Sequence, residues 1–236
     1  MRLDKYLSNM GIGTRKQVKN LIGKGRVRVN DDLAKKSNLK IDIDKDKVYF
    51  DDKLIIYEEF LYYMLNKPSG VVSATRDSSY KTVIDLIDED YGKDLFPVGR
   101  LDIDTEGLLL ITNDGQLAHK LLSPKNKVDK IYYAKINGLV TEEDKLAFKQ
   151  GVDIGQGYIT MPATLNILTA ANISEVELTI HEGKFHQVKR MFQAVGKEVI
   201  YLKRISMASL KLDISLNLGQ YRRLTDNELK ELRKFQ

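Results

Sequence analysis

Residues 96–115 read FPVGRLDIDTEGLLLITNDG, and this stretch decides the architecture of the larger part of the chain. Leu108, Leu109, Leu110 and Ile111 form a short, wholly apolar run of strand length, which predicts a buried strand closed by a turn at Asn113-Asp114-Gly115. Just before it, Asp102, Asp104 and Glu106 place three carboxylates in a loop that ends at Gly107. A polar loop held by a rigid strand is a favourable place for chemistry, because the strand fixes what the loop presents. Spacing alone leaves a second reading open: an acidic surface turn in which Asp104 or Thr105 caps its own backbone.

Working outward, FLYYMLN from Phe60 predicts a strand, Pro68-Ser69-Gly70 a turn and VVSA a further strand, followed by the strands KIYYAKI and EVELTI. TVIDLI from Thr82, QLAHKLL from Gln116, EEDKLAF after Thr141 and HQVKRMFQAV from His186 carry apolar residues at helical spacing. In the last of these Val188, Met191, Phe192 and Val195 form the buried face, Lys189 lies at its margin and Arg190 faces outward. The mixed order and hairpin-like turns predict an α+β domain with a mixed, largely antiparallel sheet.

Toward the N-terminus, Leu3, Tyr6, Leu7 and Met10 predict a helix ended by Gly11 and Gly13. Thr14 and Gln17 form a capping box that opens a second helix, with Val18, Leu21 and Ile22 inward and Gly23 at its end. Arg26 and Arg28 alternate with Val27 and Val29 in a strand, and Lys47 to Phe50 is another candidate strand. The first 30 residues hold eight Lys or Arg against one acid, Asp4, although the whole chain is only +5 with a pI near 9.1. Arg2, Lys5, Arg15, Lys16, Lys19, Arg26 and Arg28 are therefore candidate contacts to a polyanion, with a solvated charged surface as the equal alternative on charge alone.

A length of 236 residues exceeds one ordinary domain and predicts two, residues 1–58 and 59–236. Hydrophobic residues at 42% and charged residues at 30% exclude a disordered chain. No apolar run approaches the ~18 residues of a membrane span, and the mixed charges of Met1 to Lys5 do not suit a secretion signal, so a cytoplasmic protein is expected. Zero cysteines exclude disulfides, thiolate metal sites and cysteine nucleophiles. His119, His181 and His186 show no paired ligand spacing, so no metal site is expected. GVDIGQG at 151–157 lacks the glycine pattern of a dinucleotide loop, and no Walker sequence exists, which argues against a nucleotide cofactor and against a methyltransferase.

Two resemblances sharpen this reading. RLDKYLSNMGIGTRKQVKNLIGKGRVRVN is similar to the α-L RNA-binding domain first known from a small-subunit ribosomal protein, over roughly the first 45 to 58 residues. GRLDIDTEGLLLIT resembles the catalytic signature of pseudouridine synthases, in particular the RsuA family acting on bacterial ribosomal RNA. NKPSG at 66–70, KIYY at 130–133 and EGKFHQVKRMF at 182–192 follow in the family's order. The resemblance implies isomerisation of a uridine in ribosomal RNA, 16S rRNA of the small subunit by the RsuA branch, although relatives acting on 23S rRNA share these motifs. It implies Asp102 as the essential aspartate, Tyr132 as the ring that stacks on the base, and Lys189 as the ionic partner of Asp102, where many relatives have arginine. Lys67 beside Pro68 is a turn residue or a phosphate contact, Arg100 shares a strand face with Asp102, and Arg100 and Arg190 are further candidate phosphate contacts. The expected partner is ribosomal RNA or a small-subunit assembly particle, bound by a monomer without a small-molecule cofactor. The rivals are a non-catalytic RNA-binding factor, with no need for Asp102, and a glycosidase using the carboxylates of Asp102, Asp104 and Glu106.

Overall fold

The computed structural model describes residues 1–88 and 94–235. The chain divides into two units, one built on residues 1–61 and one on 62–87 with 95–236. In the first, α1 (Leu3–Asn9) and α2 (Arg15–Gly23) precede β1 (Val27–Val29), β2 (Asp32–Leu33), β3 (Val48–Phe50) and β4 (Lys53–Ile55), which pair in the antiparallel order β2-β1-β3-β4. Leu3, Leu7, Val18, Ile22, Val27 and Val48 close its core. The capping box is present: the Thr14 hydroxyl accepts from the Gln17 amide and the Gln17 side chain accepts from the Thr14 amide.

The second unit contains β5 (Tyr62–Lys67), β6 (Phe96–Pro97), β7 (Glu106–Thr112), α3 (Gly115–Leu122), β8 (Lys130–Asn137) and α4 (Glu142–Gln150). After these come β9 (Thr164–Thr169), β10 (Ile173–Ile180), α5 (Gln187–Ala194), β11 (Glu198–Met207), β12 (Leu210–Lys211), β13 (Tyr221–Arg223) and α6 (Asp226–Arg233). Among the described residues they form one nine-stranded sheet, β13-β5-β7-β11-β8-β10-β9, with β12 on β11 and β6 on β7. Only the β7–β11 pair among them is parallel, so the sheet is mixed and largely antiparallel. β5 and most of β7 lie inside the sheet and are buried on both faces, which is why Tyr62 to Leu65 and Leu108 to Ile111 read as continuous runs without polar alternation. β8 and β10 alternate buried and half-buried positions, and the buried face of α5 packs against this sheet, with Phe192 edge-on to Phe148 of α4. No helix among the described residues is long and apolar enough to cross a membrane.

Four sequence expectations are corrected. Asn113-Asp114-Gly115 is a helix start, not a free turn: the Asp114 carboxylate accepts from the amides of Gln116 and Leu117 and caps α3. TVIDLI yields one 3-10 turn at Ile84–Leu86, held by reciprocal bonds between Thr82 and Asp85. VVSA contributes a single bridge, Val72 to Thr82, because the next residue, Ser73, bonds the backbone of Leu101. Residues 100–102 are loop, so Arg100 and Asp102 share no strand face; β7 begins at Glu106.

That start depends on Gly107, whose φ is +101°. A Cβ there would lie 2.2 Å from the carbonyl oxygen of Arg204, because β7 enters the parallel pairing with β11 at this point. Gly107→Ala is expected to destabilise the fold by about 2–4 kcal/mol in urea unfolding, through overpacking and a disallowed φ. Gly115→Ala, in the first turn of α3 with nothing within 4 Å, is expected to change stability by less than about 1 kcal/mol.

Candidate active site

The loop before β7 is fixed from beneath by a side chain. Lys67, at the end of β5, is fully buried, and its ammonium donates to the backbone carbonyls of Pro68, Asp102, Ile103 and Thr105 at 2.9–3.2 Å. Burial pushes its pKa down to about 8, against the upward pull of Asp104, Asp102 and Glu106. This corrects the expectation that Lys67 contacts RNA phosphate: no part of it faces solvent. The Ser73 hydroxyl donates to the Leu101 carbonyl and accepts from the Leu101 amide, and the Gly70 amide donates to the Ile103 carbonyl. A turn bond from the Thr105 amide to the Asp102 carbonyl completes the loop. NKPSG and GRLDID are therefore one structure, joined through backbone.

Above this support lies a cleft of about 660 Å³. Asp102 lines it together with Arg100, Tyr132 and the segment from Gly183 to Val188. One Asp102 carboxylate oxygen is 3.7 Å from the Lys189 ammonium and the other is 3.8 Å from His186 Nε2. Lys189 sits closer to Asp104, at 2.6 and 2.7 Å from its two oxygens, so it bridges two aspartates and is not the private partner of Asp102. Burial raises the Asp104 carboxyl, but the bond and charge of Lys189 outweigh it and hold the group below the usual range. Glu106 belongs to β7 and accepts a hydrogen bond from Tyr201; burial first, then that bond, push the Tyr201 hydroxyl up. The three acids thus take three separate places.

Tyr132 projects from β8 into the cleft and is 7% exposed. His186, one residue before α5, adopts φ +50°, and its ring stacks on that of Phe185 at 3.8 Å, leaving Phe185 71% exposed. Arg100 is exposed at the cleft, while Arg190 donates to the Phe185 carbonyl and braces the same segment. In the N-terminal unit Arg2 forms a two-point pair with Asp4 and holds that carboxyl below its usual range. Arg26 pairs with Asp51, and Arg28 lies over the Tyr49 ring. Lys5, Arg15, Lys16 and Lys19 are exposed, and their side chains make no hydrogen bond or ion pair among the described residues. Sequence reading did not single out Ser73, Lys130 or Arg204, which also line the cleft, and it gave His186 no place beside Asp102.

Comparison with known proteins matches residues 61–194 to the family described as RNA pseudouridylate synthase and residues 1–48 to the S4 domain. The chain is 48% identical to the RNA pseudouridine synthase YtzG of Bacillus subtilis over 97% of both chains. It is 40% identical to ribosomal small subunit pseudouridine synthase A of Haemophilus influenzae, over 99% of this chain and all of that one. Identity to ribosomal large subunit pseudouridine synthase B of Bacillus subtilis is 38%, over 98% and 95%. A crystal structure of a pseudouridylate synthase superposes with a TM-score of 0.69 at 38% identity, covering 98% of this chain and 99% of that one.

Removing the Lys67 ammonium takes the donor from the Pro68 and Thr105 carbonyls, while those of Asp102 and Ile103 keep only a backbone donor. Lys67→Met is expected to lower stability by about 2–4 kcal/mol, measured by urea unfolding, whereas Arg100→Ala, on the surface, stays within about 0.5 kcal/mol of wild type.

Proposed function

The chain belongs to the RNA pseudouridylate synthase family, and we propose that it converts a uridine of small-subunit ribosomal RNA to pseudouridine, with Asp102 as the catalytic carboxylate. The observation that carries this reading is the Asp102 carboxylate itself: it faces the cleft between one lysine and one histidine, on a loop tied down by backbone hydrogen bonds. Isomerisation breaks the N1–C1′ bond, turns the base and joins C5 to C1′, with no oxidation or reduction. A carboxylate placed in the cleft serves each route to that product, whether as nucleophile or as base. Lys189 puts a positive charge 3.7 Å from the Asp102 carboxylate, and its bond to Asp104 keeps it from collapsing onto Asp102.

The target base is unstacked to enter the cleft, and Tyr132 receives its face. Residues 1–58 form the RNA-binding module, with Arg15, Lys16 and Lys19 of α2 as its main phosphate contacts and Lys5 beside them. Arg26 and Arg28 contribute less, since each is already engaged within its own unit. The small-subunit assignment follows the relatives of that name, and the protein works where ribosomal RNA is assembled, in the cytoplasm.

Asp102→Asn is expected to keep the fold and RNA affinity while tritium release from [5-³H]uridine in ribosomal RNA falls below detection; near-normal release would refute the assignment. Mapping pseudouridine in a strain lacking the gene is expected to show loss of one small-subunit site and no change in the large subunit. Tyr132→Phe keeps a stacking ring worth ~1–3 kcal/mol and retains most activity, whereas Tyr132→Leu loses it. Replacing Arg15, Lys16 and Lys19 together by alanine lowers the salt slope of RNA binding by about 2–3, in filter binding across a salt series.

A further inference from the structure

Two cations in the cleft wall have no task in the scheme above. Arg204 of β11 is the register partner of Tyr132 of β8, and Lys130 lies two residues before Tyr132. The three side chains therefore leave the same face of the sheet, and all three line the cleft. Arg204 is 2% exposed and Lys130 5%. Arg204 Nε donates to the Leu108 carbonyl at 2.7 Å, but its Nη2 is buried without a hydrogen-bond partner among the described residues. Lys130 donates to the Val128 carbonyl at 3.0 Å. The acids whose charge reaches Lys130 are engaged elsewhere. Asp129 is 3.0 Å from His181, and Glu182 accepts from the Met161 amide and the Gln187 side chain. Burial, then the charge of Arg204, push the Lys130 ammonium down to about 8, opposed by Asp129 and Glu182. Two neighbouring buried cations destabilise the fold that carries them, and an anion between them relieves both penalties.

Resting on the pseudouridine reading, we propose that Arg204 and Lys130 form a cationic seat that binds the carbonyl oxygens of the target uracil and stabilises the base as an anion while it is detached from ribose. When the N1–C1′ bond breaks, its electron pair leaves with the base, whose charge spreads over N1, O2 and O4, while the electron-deficient C1′ is compensated by the Asp102 carboxylate, which bonds to it or takes a ribose proton. When C5 bonds to C1′, C5 loses its proton and N1 gains one, so the charge is discharged and nothing is oxidised or reduced. The seat favours the detached base over the neutral nucleoside, which is the condition for accelerating cleavage and not merely binding substrate. It also selects the base, because guanidinium and ammonium only donate: they suit the O4 of uracil and oppose the N4 amino group of cytosine.

The test uses full-length protein and ribosomal RNA labelled at uridine C5. Arg204→Ala, Arg204→Lys and Lys130→Met are compared with wild type in single-turnover tritium release, filter binding and thermal melting. Arg204→Ala is expected to slow release about a hundredfold or more and Lys130→Met about tenfold, with RNA affinity within about threefold of wild type. Arg204→Lys is expected to retain more activity than Arg204→Ala. Added guanidinium is expected to restore part of the activity of Arg204→Ala and none to Asp102→Asn, a response that a purely structural arginine would not give. Folded Lys130→Met and Arg204→Lys proteins with wild-type release overturn the seat while leaving the enzyme assignment standing, as does an Arg204→Ala protein that loses folding and RNA binding together while Lys130→Met releases tritium normally. A wild-type protein that releases no tritium from any ribosomal RNA overturns both.

Discussion

The Asp102 loop keeps its shape because one buried ammonium, that of Lys67, is shared among four backbone carbonyls, three of them within residues 102–105. An ammonium has three N–H groups, so at least one is shared between carbonyls, and each bond is charge-assisted in a buried site. Such bonds set backbone position more firmly than a neutral turn does, and they act on the chain itself, leaving the Asp102 carboxylate free for the cleft. Lys67 stands opposite Gly107 in the pairing of β5 with β7, so the same sheet register that buries the lysine delivers it under the loop. Charge, register and loop geometry are a single constraint.

A second arrangement follows from where Lys189 is placed. A lysine reaches two carboxylates as a point charge, without the two-point geometry that an arginine would impose on one of them. Because Asp104 takes the short contacts, Asp102 feels the positive potential while its oxygens stay uncommitted to a tight pair. Asp104 holds the cation, Asp102 lies 3.7 Å from it, and Glu106 ties β7 to Tyr201.

Much of this was legible in the order of residues because it rests on local rules. The apolar run at 108–111, the Thr14 capping box, the alternation around Val27 and Val29 and the helical spacing of Val188, Met191 and Phe192 each depend on near neighbours, and each is present. What was missed depends on distant ones. Lys67 before Pro-Ser-Gly looks like a turn residue; it is buried because a loop 35 residues away lies on it. Arg204 stands in an alternating strand at an inward position, between buried Leu202 and Ser206, and a cation at such a position was the available signal. The short 3-10 turn at Ile84–Leu86 is set by the mutual bonds of Thr82 and Asp85, and the absence of a strand at Val71–Ala74 reflects the Ser73 side chain recruited by the Asp102 loop, which no propensity encodes.

The position of β11 also bears on how the protein is made. This strand lies between β7 and β8, yet the bond from Arg204 to Leu108 spans 96 residues of sequence. At ~5–20 residues per second, a ribosome needs roughly 5 to 20 s to deliver Arg204 after Leu108. Throughout that interval the inner edge of β7 lacks its neighbour, and β5 still awaits β13. The nascent second unit therefore emerges with open strand edges and an unfinished cleft, and its sheet closes only once β11 and β13 have been synthesised.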